Sequence, residues 1–258
     1  MLRVATDEPV GPVRASRFFM LRREDGTAPL IPRPYSIYRQ GDDWIEFLVK
    51  RMGRGSRSLA AAAPGTELRL IGPLGNGWPT LDGDGPPWVL LAGGVGSAPI
   101  PMAVEQALAG MDGARPCPPS KLFVLFGARD GGLLYDLDAL RELGVPVHAA
   151  TLDGSVGFRG NVLELLDDLV SRGEVPAQHR LLACGPDPML EAVHARALER
   201  GVDAWLSLET LMGCGVGICN GCPVVTRAEG SLAAWSNAKC CVEGPVFAAR
   251  DIVLAHAH

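Results

Sequence analysis

Long apolar runs are missing from this chain: no hydrophobic stretch approaches the roughly 18 residues that a membrane-spanning helix needs. The opening MLRVATDEPV carries charged and polar residues where a secretory leader has an apolar core. A cytoplasmic protein that does not enter the membrane is therefore expected. A basic excess is missing as well. The net charge is −5 over 258 residues, which argues against nucleic-acid binding as the main task. There is no internal repeat and no low-complexity tract beyond Ala61–Ala63. The five histidines have no metal-ligand spacing, and His256 and His258 read as a solvated tail. What remains is a chain 47% hydrophobic, enough to bury real cores and long enough for two or three small domains.

Cysteine is the residue that is not scarce. Cys214, Cys219 and Cys222 stand in GCGVGICNGC as Cys-x4-Cys-x2-Cys, and Cys240 or Cys241 offers a fourth thiolate in NAKCCVEGP. That spacing is the plant-type [2Fe–2S] pattern. Glycines around it let backbone N–H groups turn toward sulfur without side-chain clashes. Structural zinc is the rival, but it usually takes two separated Cys-x2-Cys pairs. Clustered thiols in a long chain are metal ligands more often than disulfides. Cys117, in RPCPP, has no evident partner.

Three regions follow from patterning. Residues 1–85 hold short apolar segments at Phe18–Leu21, Ser36–Tyr38, Trp44–Val49 and Glu67–Ile71. Turn formers such as EDGTAP, RQGDD, APGTE and GPLGNG separate them, as in a small antiparallel barrel or sandwich. One short helix is expected over Ser58–Ala63. DGDGPP, at 82–87, reads as a linker. Residues 86–208 then alternate buried strands (WVLLA, KLFVLF, Val147–Thr151, RLLAC, Val202–Leu208) with helices through Leu108, over Asn161–Ser171 and before Gly201. Continuous apolar strands alternating with helices predict a doubly wound parallel sheet. Residues 209–258 form the cysteine region.

Smaller motifs punctuate this plan. Gly94-Val95-Gly96-Ser97-Ala98-Pro99 leaves a buried strand and opens a helix, the setting of a phosphate-binding turn, although Pro99 replaces the third glycine. The bland reading is a tight strand-to-helix turn without a ligand. Cys184-Gly185-Pro186 ends another strand, on the edge where open α/β sheets bind ligands. Arg33-Pro34-Tyr35-Ser36 offers a cation, a stacking ring and a hydroxyl. Gly53-Arg54-Gly55-Ser56-Arg57 suits a second anion contact. By itself each of these two also reads as an ordinary edge strand or solvated loop.

The order RPYS, GRGS, GGVGSAP, CGPDPML, cysteine loop, CVEGPVF resembles the ferredoxin–NADP reductase superfamily with a carboxyl-terminal [2Fe–2S] domain. Within it, the chain resembles the electron-transfer subunits of class 1B dihydroorotate dehydrogenases. The resemblance covers nearly the whole chain. It implies an antiparallel β-barrel FAD domain (1–85), a doubly wound NAD-binding α/β domain (86–208) and a small [2Fe–2S] domain (209–258). It implies Arg33 at the FAD phosphates, with Pro34 beside it in the same motif, Tyr35 near the isoalloxazine and Ser36 near its reactive edge. Leu48, Val49 and Lys50 would lie on a strand lining the FAD, and Gly55 and Ser56 would hold its pyrophosphate. Gly93, Gly94, Gly96, Ala98 and Pro99 would face the nicotinamide nucleotide. Cys184, as the catalytic candidate, with Gly185 and Pro186, would lie near the nicotinamide–flavin contact. Family members carry one cysteine before x-Asp/Glu-Gly-Pro-Val, so Cys241 joins Cys214, Cys219 and Cys222 as the metal set. Trp78 stands where relatives commonly have phenylalanine.

Electron counting completes the expectation. A nicotinamide gives or takes a hydride, a [2Fe–2S] cluster takes one electron, and a flavin can mediate between them. The resemblance implies a partner: an FMN-containing dihydroorotate dehydrogenase catalytic subunit, in a heterotetramer, in pyrimidine biosynthesis. It also implies NAD(H) over NADP(H), against which Arg129 after the second parallel strand is the one basic candidate. Two alternatives stay open. One is a related NAD(P)H reductase subunit serving a hydrogenase or a ferredoxin-dependent transhydrogenase. The other is a non-enzymatic binding module stabilised by zinc or a cluster.

Overall fold

The computed structural model describes residues 1–25 and 30–254; the end of the EDGTAP turn, His256 and His258 lie outside them. The first region contains β1 (Leu2–Ala5), β2 (Phe18–Arg23), β3 (Arg33–Gln40), β4 (Trp44–Phe47), α1 (Arg54–Ala60) and β5 (Leu68–Leu74). Its five strands pair antiparallel in the order β1-β4-β3-β2-β5. The expected barrel is thus an open sheet, whose edges β1 and β5 do not pair with each other among the described residues. The expected helix also starts earlier. Ser56 Oγ accepts from Met52 N (2.8 Å) and Gly53 N (3.1 Å), which nucleates α1 at Arg54.

Strand β2 explains why FFML is continuously apolar. Side chains alternate across a strand, so Phe19 and Leu21 enter the sheet's own core with Ile37, Ile45, Phe47 and Trp78. Phe18 and Met20 face the other way, into a second core shared with the cysteine region. Both faces are covered, so neither can be polar. Trp78 is 1% exposed, and its Nε1 has no hydrogen-bond partner.

The second region contains β6 (Trp88–Gly93), α2 (Ile100–Ala109), β7 (Leu122–Ala128), α3 (Leu137–Arg141), β8 (Val147–Thr151), β9 (Phe158–Arg159), α4 (Val162–Ser171), β10 (Arg180–Cys184), α5 (Asp187–Arg200) and β11 (Ala204–Ser207). β11, β10, β6, β7, β8 and β9 run parallel in that spatial order. Helices cover both faces. Leu90 and Ala92 share a core with Ile100 and Val104 of α2 and Leu140 of α3. Val89 and Leu91 share the other with Leu165 and Leu169 of α4 and Leu190 and Val193 of α5. Local chemistry sets the helix ends. Asn161 Oδ1 accepts from Leu163 N and Glu164 N, and Glu164 Oε2 returns a bond from Asn161 N, a reciprocal cap. α5 has Pro188 in its first turn and ends on Gly201 at φ 62°.

The DGDGPP segment joins the two regions but is clamped. Arg180 donates to Asp84 O (2.8 Å) and Pro86 O (3.0 Å), and Lys121 Nζ to Gly83 O (2.6 Å). The Arg180 guanidinium also lies 3.7 Å over the Trp88 ring.

The last region holds β12 (Pro223–Val225), β13 (Asn237–Lys239) and β14 (Val246–Ala248). β12 and β13 form a hairpin. β14 instead extends the parallel sheet, antiparallel to β11, with Leu206 opposite Phe247 and Ser207 opposite Val246. The cysteine region is therefore built into the parallel sheet.

Candidate redox site at the junction of three regions

The antiparallel sheet gathers one set of expected residues at one end. β3 and β4 pair antiparallel, with Ile37 opposite Phe47, so Arg33–Ser36 at the start of β3 lies beside Leu48–Lys50. Those three residues follow β4 and are not part of it, because the strand ends at Phe47. Arg33 donates only to Ile31 O (3.1 Å) and Pro32 O (3.4 Å) and has no acidic partner among the described residues. An unneutralised guanidinium there suits a phosphate. Burial raises the half-buried Tyr35 hydroxyl above the usual tyrosine range, with Arg33 opposing. Gly55 is buried in the first turn of α1, and the Ser56 hydroxyl is already engaged in capping that turn. The residues present fit a flavin nucleotide whose anionic part lies toward Arg33.

The parallel sheet supplies two turns side by side, because Ala92 of β6 is opposite Cys184 of β10. A Cβ on Gly96 would fall 2.6 Å from Gly185 N and closer still to the Cys184 carbonyl. A Cβ on Gly93 would meet Pro186 Cδ at 2.7 Å. These glycines let the two turns touch. Gly94 differs: its φ is +55° and nothing lies within 4 Å of an added Cβ, so its face is open. Ala98 and Pro99 bridge the turn to α2, with Pro99 as N-cap. The Ser97 hydroxyl beside them is buried with no partner. An open, glycine-lined turn before a helix fits a dinucleotide.

Cys184 lies between these turns and the next region. Burial pushes its thiol up to about 12; nearby Glu209 adds to the rise, and a hydrogen bond with Ser207 opposes it. The group is a neutral thiol at physiological pH, not a nucleophile. Ser207 Oγ in turn lies 2.7 Å from Ser16 Oγ of the first region. Glu209 follows β11 and was not among the expected residues. The residue keeps solvent-exposed surface. Its carboxyl is nonetheless raised above the ordinary range, first by withheld water, then by Asp187, with Lys50 opposing. Lys50, Cys184 with Asp187, and Glu209 thus bring all three regions within electrostatic reach of one another. The sequence signal was an acidic residue just past a buried strand's carboxyl end.

The cysteine loop begins five residues later, with its thiols in two pairs. Cys214 Sγ accepts from Val216 N and Cys219 N, each at 3.5 Å. These backbone donors, chiefly Cys219 and Val216, lower its thiol to about 6. Cys222 Sγ and Cys241 Sγ are 3.3 Å apart and buried. Two thiolates on one tetrahedral metal lie about 3.7 Å apart, given metal–sulfur bonds of ~2.3 Å. Among the described residues, no three His, Cys, Asp or Glu side chains converge on a single ion. Cys222 and Cys241 are thus close enough to bind one metal ion together. Cys240 turns away: its Sγ lies 3.7 Å from Leu208 O, and burial raises it to about 12.

Comparison with known proteins identifies relatives of the chain. Residues 209–253 match the family model for the iron-sulfur cluster binding domain of dihydroorotate dehydrogenase B. The chain is 32% identical over 239 residues to the dihydroorotate dehydrogenase B (NAD(+)) electron transfer subunit of Desulforamulus reducens. That match covers 92% of this chain and 86% of the relative. It is also 32% identical over 241 residues to the subunit of that name from Bacillus mycoides, with the same coverage. Among solved structures, the fold resembles an NADH-dependent reduced ferredoxin-NADP oxidoreductase (TM-score 0.77, 23% identity, 98% of this chain and 84% of that one). It also resembles an Amycolatopsis cytochrome P450 reductase (TM-score 0.59, 25% identity, 77% of this chain and 60% of that one).

Proposed function

The chain belongs to the family of dihydroorotate dehydrogenase B electron transfer subunits, and from that premise we propose that it passes electrons between NAD(H) and a dihydroorotate dehydrogenase catalytic subunit. One observation carries the reading: Glu209, five residues before the first thiol of the cysteine loop, lies within electrostatic reach of Lys50 in the first region and of Cys184 in the second. A two-electron site and a one-electron site share one frame. We further propose that the partner contains FMN, that the two form a heterotetramer, and that the pair works in the cytoplasm in pyrimidine biosynthesis. No helix among the described residues is long and apolar enough to cross a membrane.

The residues divide the work. Arg33 neutralises the FAD phosphates, while Pro34, Tyr35, Ser36 and Leu48–Lys50 border the ring system and Gly55 and Ser56 its pyrophosphate end. Gly93, Gly94, Gly96, Ala98 and Pro99 admit NAD(H), and Gly185 and Pro186 close the second turn against them. Cys184 presents an uncharged thiol at the contact, which excludes water without adding a charge. Glu209 holds a proton more tightly than an ordinary carboxylate beside it. Cys214, Cys219, Cys222 and Cys241 hold the [2Fe–2S] cluster. Bound FAD supplies a hydride acceptor that releases electrons singly, and a bound cluster takes them one at a time.

The test is purification of the chain co-expressed with a dihydroorotate dehydrogenase catalytic subunit from the same organism. The expected product is a yellow-brown complex with FAD and about two irons per electron-transfer chain, reducing NAD⁺ with dihydroorotate. Colourless chain holding zinc, or a coloured chain that forms no complex with that dehydrogenase, defeats the reading.

A further inference from the structure

Asn76, in the loop after β5, directs its whole side chain at the cysteine region. Its Nδ2 donates to Glu243 O (2.7 Å) and Val246 O (2.8 Å), and its Oδ1 accepts from Val246 N (2.9 Å). Its backbone N–H donates to Gly244 O at 2.6 Å. The side-chain amide thereby pairs with both main-chain groups of Val246, as a strand residue would. The preceding Gly75 permits this approach. Its φ is +67°, and an added Cβ would lie 2.6 Å from Gly244 O and 2.7 Å from Pro245 Cδ.

The gripped segment connects directly to the thiols. It begins two residues after Cys241. The turn carrying Cys240 and Cys241 closes on it, with Lys239 N donating to Glu243 Oε2 (2.6 Å) and Glu243 N to Lys239 O (3.0 Å). On its far side Leu208 N donates to Pro245 O (2.9 Å), and Val246 opens β14. The antiparallel sheet meets the cysteine region at a second point, where Met20 and Leu74 crowd Gly215. That contact is apolar and tolerates sliding and rotation. Directional hydrogen bonds do not.

We propose that Asn76 is a positioning residue: its amide fixes the Glu243–Val246 segment on the antiparallel sheet and so sets the placement of Cys241 and its partner thiols relative to the flavin side. This rests on the functional reading above. Asn76 touches no ligand-bearing atom and acts through the segment it holds. Asn76→Ala leaves Val246 N–H and two carbonyls without these partners. Asn76→Asp keeps an acceptor for Val246 N but sets a carboxylate against the Glu243 and Val246 carbonyls.

The experiment uses the purified, cofactor-loaded chain and both variants. After rapid mixing with NADH, flavin bleaching should stay within about twofold of the parent. Bleaching of the cluster absorbance should slow by clearly more than that twofold, since the rate of electron transfer falls steeply as the donor and acceptor move apart. Hydrogen exchange at the Val246 amide should accelerate in Asn76→Ala, which removes its acceptor, while exchange along β6 and β7 is unchanged in both variants. Unaltered cluster bleaching with unaltered Val246 exchange overturns the proposal. So does equal slowing of both bleaching phases with loss of iron, which marks a general structural role. If Asn76→Ala does not fold, Asn76→Asp carries the comparison. A parent chain without flavin or iron would defeat the functional reading instead, and the exchange measurement, which needs neither group, would still decide the role of Asn76.

Discussion

Cys240 and Cys241 are neighbours in the chain with opposite surroundings. Cys241 Sγ faces Cys222 Sγ, while Cys240 Sγ faces the Leu208 carbonyl in a fully buried site. Cys241→Ser is therefore expected to lose the visible absorbance and most of the iron, and Cys240→Ser to keep both; iron assay and absorbance spectra of the two variants check this, and the reverse outcome would reassign the fourth ligand. The choice could be made from the sequence only through the Cys-x-Glu-Gly-Pro phrase, because spacing alone leaves both thiols open. Other residues were less legible. Glu209 and Asn76 carry no motif. Their importance comes from groups far along the chain, Lys50 and Cys184 for one and Val246 for the other. Cys184 was legible as a position but not as a chemistry: only its burial beside Glu209 makes it a neutral thiol.

Among the elements, the two strand-to-helix turns show what glycine is needed for. Gly96 has no room for a Cβ because the Cys184–Gly185 backbone fills the space, whereas Gly94 has room but a left-handed backbone. Gly96→Ala must push β10's turn away, at about 1–3 kcal/mol, and should weaken NADH binding with it. Gly94→Ala should cost about 1 kcal/mol from backbone strain alone. Urea unfolding and NADH titration of both variants separate the two causes, and equal stability losses would remove the packing explanation. Parallel strands were the easiest elements to read. WVLLA and RLLAC are apolar throughout because helices bury both faces. The strands missed were β1, β9 and β12 to β14. They are two to four residues long, too short for a periodic signal, and depend on distant partners: β1 on β4, β14 on β11. α1 was placed four residues late because its cap uses a serine inside the helix.

At the scale of the whole molecule, the cysteine region is less an appendage than the third side of a frame. β14 completes the parallel sheet, and the His194 ring on α5 bonds Ile252 O at 3.0 Å. Phe18 and Met20 of the antiparallel sheet share a core with Cys222, Cys240 and Phe247. A chain ending at Leu208 would uncover Phe18, Met20, Val193 and Leu206, each now at most 2% exposed. At about 1.5–3 kcal/mol for each large apolar side chain, four of them amount to roughly 6 kcal/mol or more. That is comparable to the 5–15 kcal/mol that holds a typical domain folded. The cut would also leave β11 as an unpaired edge open to pairing with another copy. The fragment 1–208 is therefore expected to be aggregated or largely unfolded where the full chain is folded. Size-exclusion chromatography and thermal melting followed by circular dichroism check this. A monomeric fragment that melts cooperatively near the full chain's temperature would mean that the shared core contributes little. The first two regions would then stand without the cysteine region, which the interlocked sheet argues against.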